Sequence, residues 1–145
     1  MALAGTLALT GCGSSSSGLS KSDLAAKTNT ICTNSAASIK AIPQPADLVQ
    51  NASSAAKYFD KIAAVYDKAR SDLDALKPAD SVKSQWNTLV SKFHALASIV
   101  DSIKTKAENK DRTGLQELTQ VGPLTTSLNA ATDAIGATAC SKTTA

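Results

Sequence analysis

Residues 48–76 read LVQNASSAAKYFDKIAAVYDKARSDLDAL, and the spacing of apolar side chains in this stretch decides the fold. Leu48, Ala52, Ala55, Phe59, Ile62, Tyr66, Ala69, Leu73 and Leu76 follow one another at alternating steps of four and three. An α-helix turns once about every 3.6 residues, so such steps keep returning to one face, whereas a half-buried strand needs alternation at every second position. The stretch is predicted to be a helix with a single apolar stripe, the seam along which helices pack in a bundle.

The rhythm continues on both sides. Lys77-Pro78-Ala79-Asp80 breaks the helix, and Val82, Trp86, Leu89, Phe93, Leu96, Val100, Ile103 and Ala107 resume the pattern in a third helix. Each of these two helices is expected to run about 45 Å at about 1.5 Å per residue. Upstream, Ser20-Lys21-Ser22-Asp23 is a capping box, with a hydroxyl for an orphan N–H of the first turn and an acid three residues on. It opens a first helix whose stripe is Leu24, Thr28, Ile31, Ser35, Ile39 and Ile42, ended by Pro43 and Pro45. Downstream, a fourth helix is expected after Asp111, using Leu115, Leu118, Val121, Leu124, Leu128, Ala131 and Ile135. Gly122-Pro123 lies inside it and is expected to kink it, because proline removes a hydrogen bond and crowds the preceding turn. The echo of Pro45-Ala46-Asp47 in Pro78-Ala79-Asp80 marks two similar helix starts, since the residues that follow do not match.

Four amphipathic segments with short breaks predict an all-α fold, an antiparallel up-down-up-down four-helix bundle. Counting out from the 77–80 turn puts Trp86 opposite Leu73 and Phe93 near Tyr66. Composition agrees. The 145 residues suit one domain, 43% are apolar, and aromatics make up only 3%, which favours helices over many short strands. Fifteen Lys and Arg against twelve Asp and Glu leave a charge of +3 spread along the chain, with no basic stripe for nucleic acid. The densest charged segment, Lys104 to Arg112, mixes both signs and reads as a solvated connection between helices.

The N-terminus carries a different message. Residues 2–9, ALAGTLAL, are too few to span a bilayer but suit the apolar core of a signal peptide. Leu9-Thr10-Gly11-Cys12 resembles a bacterial lipobox, in which small residues admit the protease and the cysteine thiol receives a diacylglyceryl group before becoming the first mature residue. A positive segment normally precedes the apolar run and here does not, so the true start is expected upstream. Gly13 to Gly18 is a glycine–serine tract suited to tethering a domain to its anchor. The expected organisation is a lipoprotein signal peptide at 1–11, a lipidated Cys12 with a flexible tether at 12–19, and a helical domain at 20–145.

With Cys12 assigned to lipid, Cys32 and Cys140 remain as a pair in a chain read as exported to an oxidising compartment, and a disulfide between them is expected. Level counting places the end of the fourth helix nearer the start of the first than Cys32. Gly136 as a C-cap would let Ala137 to Cys140 fold back and close that distance.

The chain resembles the small helical lipoproteins of actinobacterial cell envelopes. The likeness rests on the lipobox, Ile31-Cys32, Ala41-Ile42-Pro43-Gln44-Pro45, Leu76-Lys77-Pro78-Ala79-Asp80, Trp86 and the run from Ile135-Gly136 to Cys140. It implies extracytoplasmic display and a helical bundle and supplies no catalytic residues.

Reactive constellations are missing from the sequence. A di-iron bundle needs several glutamates with Glu-x-x-His pairs, and the glutamates here are Glu108 and Glu117 with His94 the one histidine. No C-x-x-C-H or clustered Cys and His occurs for haem or zinc. His94 follows the stripe residue Phe93 and is expected to face solvent, and Asp72 and Asp74 point to different helix faces. No catalytic residue, metal site or cofactor is therefore expected. The place for a ligand is the aromatic set Phe59, Tyr66, Trp86 and Phe93, on the seam between helices 2 and 3. The function this supports is a non-enzymatic surface lipoprotein, a helical interaction or structural module held to the membrane through Cys12. The alternative is a binder of a small, lipid-like apolar ligand between helices 2 and 3.

Overall fold

Polar caps set the helix boundaries in the computed structural model, which describes residues 18–142. Cys12 and most of the expected tether lie outside the described residues. Ser20 caps α1 (Lys21–Lys40): its hydroxyl accepts from the Asp23 N–H at 3.2 Å and donates to the Asp23 carboxylate at 2.6 Å, the predicted capping box closed through the side chains. Asn51 caps α2 (Ala52–Asp74) by accepting from the N–H groups of Ser53 and Ser54. Residues 46–50 are turn, so Leu48 precedes the helix in which it was expected. The reason is local: Asp47 accepts from the Asn51 amide and the Ser54 hydroxyl, and these bonds hold the turn open until Asn51 supplies the cap. Leu48 still packs against the cluster of Ala55, Phe59 and Ile103.

A 3-10 turn (Asp80–Val82) leads into α3 (Lys83–Glu108). With 23 residues in α2 and 26 in α3, the helices are about 35 and 39 Å long, shorter than the sequence suggested because the caps lie inside the apolar pattern. A second 3-10 turn (Arg112–Glu117) follows the cap at Asp111 and precedes α4 (Leu118–Ile135). This turn corrects one expectation. A 3-10 helix has about three residues per turn, so the stripe loses phase there; Leu115 packs inward but Leu118 is 44% exposed. Pro123 lies inside α4.

The described residues are all-helical, with five helices of which four are long. The most extensive packing is α2 on α3, followed by α3 on α4; α1 lies against α2 and, less closely, α4. The main core joins Leu24 of α1, Leu73 of α2, Trp86 and Leu89 of α3 and Ile135 of α4, so Trp86 and Leu73 belong to the same cluster. A second cluster at the other end gathers Ala55, Phe59 and Ile103.

Gly136 ends α4 in the left-handed region at φ 87°. Its N–H bonds to the Asp133 carbonyl at 2.9 Å and that of Ala137 to Thr132 at 2.8 Å, the paired bonds of a Schellman cap. A Cβ on Gly136 would lie 3.7 Å from that of Ala25, so α4 does end near the start of α1. From there α5 (Thr138–Lys142) turns back along α1: the Ala139 N–H bonds to Asn29 Oδ1 at 2.9 Å, and Cys140 reaches Cys32 in a disulfide with the Cα atoms 5.1 Å apart. The fold-back anticipated from Gly136 is what closes the bridge.

At its N-terminal edge the chain is fastened sooner than expected. Leu19 pairs with Pro78 through two backbone bonds, Leu19 N–H to the Lys77 carbonyl at 2.8 Å and Ala79 N–H to the Leu19 carbonyl at 2.9 Å. Gly18 lies so close to this turn that a Cβ would sit 2.5 Å from the Pro78 carbonyl carbon and oxygen. Gly18 and Leu19, expected in the tether, therefore belong to the folded body.

Candidate functional site

Small and polar residues thin the stripe of α1 in its second half. Only Leu24 and Thr28 of α1 are buried; Ile31, Cys32, Ser35 and Ile39 are half-buried. The consequence is a groove of about 750 Å³, open to solvent, between this part of α1 and the other three long helices. Pockets for small ligands range over about 300–1,000 Å³. The α1 wall runs from Thr28 past Ile31 and Ser35 to Lys40. Tyr66 and Ala69 of α2 with Phe93 and Leu96 of α3 form the floor, and Val121, Thr125 and Leu128 of α4 the far wall. The disulfide borders the groove, since both Cys32 and Cys140 line it.

Of the four aromatics expected around a ligand, the structure brings two to this site. Tyr66 and Phe93 are neighbours, with ring centroids 5.7 Å apart, as counted from the turn. Phe59 packs instead against Ala55 and Ile103 and meets Tyr58 edge-on at 5.4 Å. Trp86 is 4% exposed within the main core. The space lies between α1 and the remaining helices, while α2 and α3 make the most extensive packing of the fold. Sequence reasoning missed Thr28, Ser35 and Thr125. The available signal was the presence of Thr28 and Ser35 at stripe positions of α1, where a bulkier apolar residue would fill the space.

Hydroxyls of Thr28, Ser35, Tyr66, Thr125 and Thr132 and the Asn129 amide give the groove its polar character. Burial pushes the Tyr66 phenol above its usual pKa, because the phenolate loses hydration. Thr28 is 1% exposed, and its Oγ1 is buried without a hydrogen-bond partner, a costly state for a polar group. No acidic side chain lines the groove, and its one charged residue is Lys40.

The other polar clusters lie elsewhere. His94 Nε2 is 3.0 Å from Asp74 Oδ1, with both side chains partly exposed and neither on the groove. Asp72 pairs with Lys68 at 2.8 Å, so the two acids do face different ways. The charged segment before α4 ties elements together: Lys104 pairs with Asp60 at 2.7 Å, Lys106 with Glu117, and Arg112 donates to the carbonyls of Val49 and Gln50. The Lys106 ion pair raises the lysine pKa and lowers that of Glu117. A recess of about 20 Å³ near Leu48 and Arg112 has room for little more than a water. A third concavity, lined by Lys83, Asn87 and Ser91, is a broad polar surface of α3.

Among the described residues no group of three or more His, Cys, Asp or Glu is placed to hold a metal ion, and no helix is long and apolar enough to cross a membrane. The site thus defines an all-helical, disulfide-closed protein with an apolar groove. No family model, curated protein or solved structure matches the chain.

Proposed function

We propose that this protein is a non-enzymatic lipoprotein, held at the outer face of the cytoplasmic membrane through Cys12, whose helical domain binds a small apolar ligand. In this reading the four long helices form an antiparallel up-down-up-down bundle bent at Pro123, with α1 standing off far enough to admit the ligand. The observation that carries it is the groove: about 750 Å³ bordered by Ile31, Tyr66, Phe93 and Leu128, side chains suited to hydrocarbon and not to acid–base chemistry. Anchoring is supported by the resemblance of Leu9-Thr10-Gly11-Cys12 to a lipobox, and export by the disulfide.

Two measurements test the two halves. Titration with the neutral probe N-phenyl-1-naphthylamine should show saturable binding of about one probe per chain, abolished by Ser35→Trp, which fills the groove, with thermal stability retained. Absence of saturable binding overturns the ligand reading. Cys12→Ala should move the protein from the membrane to the soluble fraction; unchanged membrane association overturns the anchor.

A further inference from the structure

We infer that the groove is built for a single-chain fatty carboxylate, its tail directed toward Thr28 and its carboxylate at Lys40. The inference rests on the ligand-binding reading above and adds the chemical class and direction of the ligand.

Length comes first. The α1 wall extends from Thr28 to Lys40, a span of about 18 Å at about 1.5 Å per residue. One leaflet of a bilayer, half of a hydrocarbon core about 30 Å thick, is about 15 Å deep, so the groove matches one lipid chain laid lengthwise. The apolar surfaces of Ile31, Phe93, Leu96 and Leu128 border that path.

Charge then sets the head group. Lys40 is the only ionisable group of fixed charge on the lining. It is exposed and has no ion-pair partner among the described residues. No lining carboxylate opposes an anion. A cationic head would meet Lys40 with no acid to offset it, and a neutral head would leave the lysine without a role.

Burial sets the direction. Thr28 stands at the opposite end, 1% exposed with its hydroxyl unpartnered. A carboxylate placed there would lose its water in exchange for neutral groups only, the Thr28 and Thr132 hydroxyls and the Asn129 amide, which is far costlier than leaving it at an exposed mouth beside an ammonium. The head therefore sits at Lys40 and the methyl end runs inward past Tyr66.

The test uses the full chain carrying Cys12→Ala, so that no acyl group on the protein competes, with dodecanoate and dodecanol as probes of equal chain length displacing N-phenyl-1-naphthylamine at pH 8. Dodecanoate should bind about three- to fivefold more tightly at low ionic strength, the range of one exposed ion pair, and the margin should shrink as salt is added. Lys40→Gln should erase the margin while leaving dodecanol unaffected, and Thr28→Val should leave dodecanoate binding intact or tighter. Equal affinity for acid and alcohol in the parent protein overturns the inference and leaves the apolar groove standing. A greater loss of dodecanoate binding in Thr28→Val than in Lys40→Gln overturns the assigned direction. Failure of both probes to bind overturns the groove reading as well.

Discussion

Replacing Cys32 and Cys140 together by alanine removes the covalent link that holds α5 against α1. The bridged cysteines are 108 residues apart, and the loop-entropy relation for a ring of that size gives about 4.8 kcal/mol of stabilisation at 25 °C, through the restricted unfolded chain. Domains of this length are typically stable by about 5–15 kcal/mol, so the loss is a large share of the total. Without the bridge α5 keeps its packing on α1 and α4 and bonds such as Ala139–Asn29 and Ser141–Asp133, each worth about 1 kcal/mol net. Guanidinium unfolding followed by the fluorescence of Trp86, which is buried and the only tryptophan in the chain, measures the change. The double variant should lose about 3–5 kcal/mol and show a steeper denaturant dependence, because its unfolded state is more open. A loss below about 1 kcal/mol with an unchanged slope would refute this reasoning and mean that packing and hydrogen bonds hold α5 without the bridge.

Three further perturbations separate the local devices of the fold. Gly136→Ala has room for its Cβ, 3.7 Å from Ala25, so its cost should be the left-handed backbone alone, about 1–2 kcal/mol, read as a shift in the denaturation midpoint. Gly18→Ala meets the Pro78 backbone at 2.5 Å and should release the Leu19–Pro78 pairing, seen as faster hydrogen exchange at the Leu19 and Ala79 amides while the α2 and α3 amides stay protected. The Tyr66 pKa is raised in the folded state by burial, so its contribution to stability is intact below the unfolded tyrosine value of about 10 and is lost as pH rises through the folded value. Tyr66→Phe should flatten that alkaline decline, and an unchanged pH–stability curve would argue against a buried phenol.

Much of this architecture is visible in the order of the residues. The apolar stripe of α3 is buried from Trp86 to Ile103, with Ala97 added and Ala107 half-buried, because a helix flanked by two neighbours must bury what recurs along its face. The Cys32–Cys140 bridge and the role of Gly136 are legible from cysteine count and helix-end chemistry, which act over a few residues. Helix limits were less so: Asn51 and Asp47 set the start of α2 through side-chain bonds that an apolar pattern does not register. Leu118 faces outward because a 3-10 turn changes the phase of the stripe, and nothing in the spacing distinguishes that turn from α-helix. The groove was misplaced for a physical reason as well. Aromatic side chains mark where bulk is plentiful, whereas a cavity forms where bulk is missing, at Thr28 and Ser35 of α1. Tyr66 and Phe93 belong to the site because they face α1, and Phe59 and Trp86 do not because they are packed into the two ends.

The central claim, that the helical domain holds one chain-like anionic lipid, is tested most directly by native mass spectrometry of the protein purified from its own cells. The account predicts a one-to-one non-covalent complex with an aliphatic acid, dissociated by organic solvent and re-formed on adding dodecanoate. A bare chain before and after dodecanoate is added would contradict it.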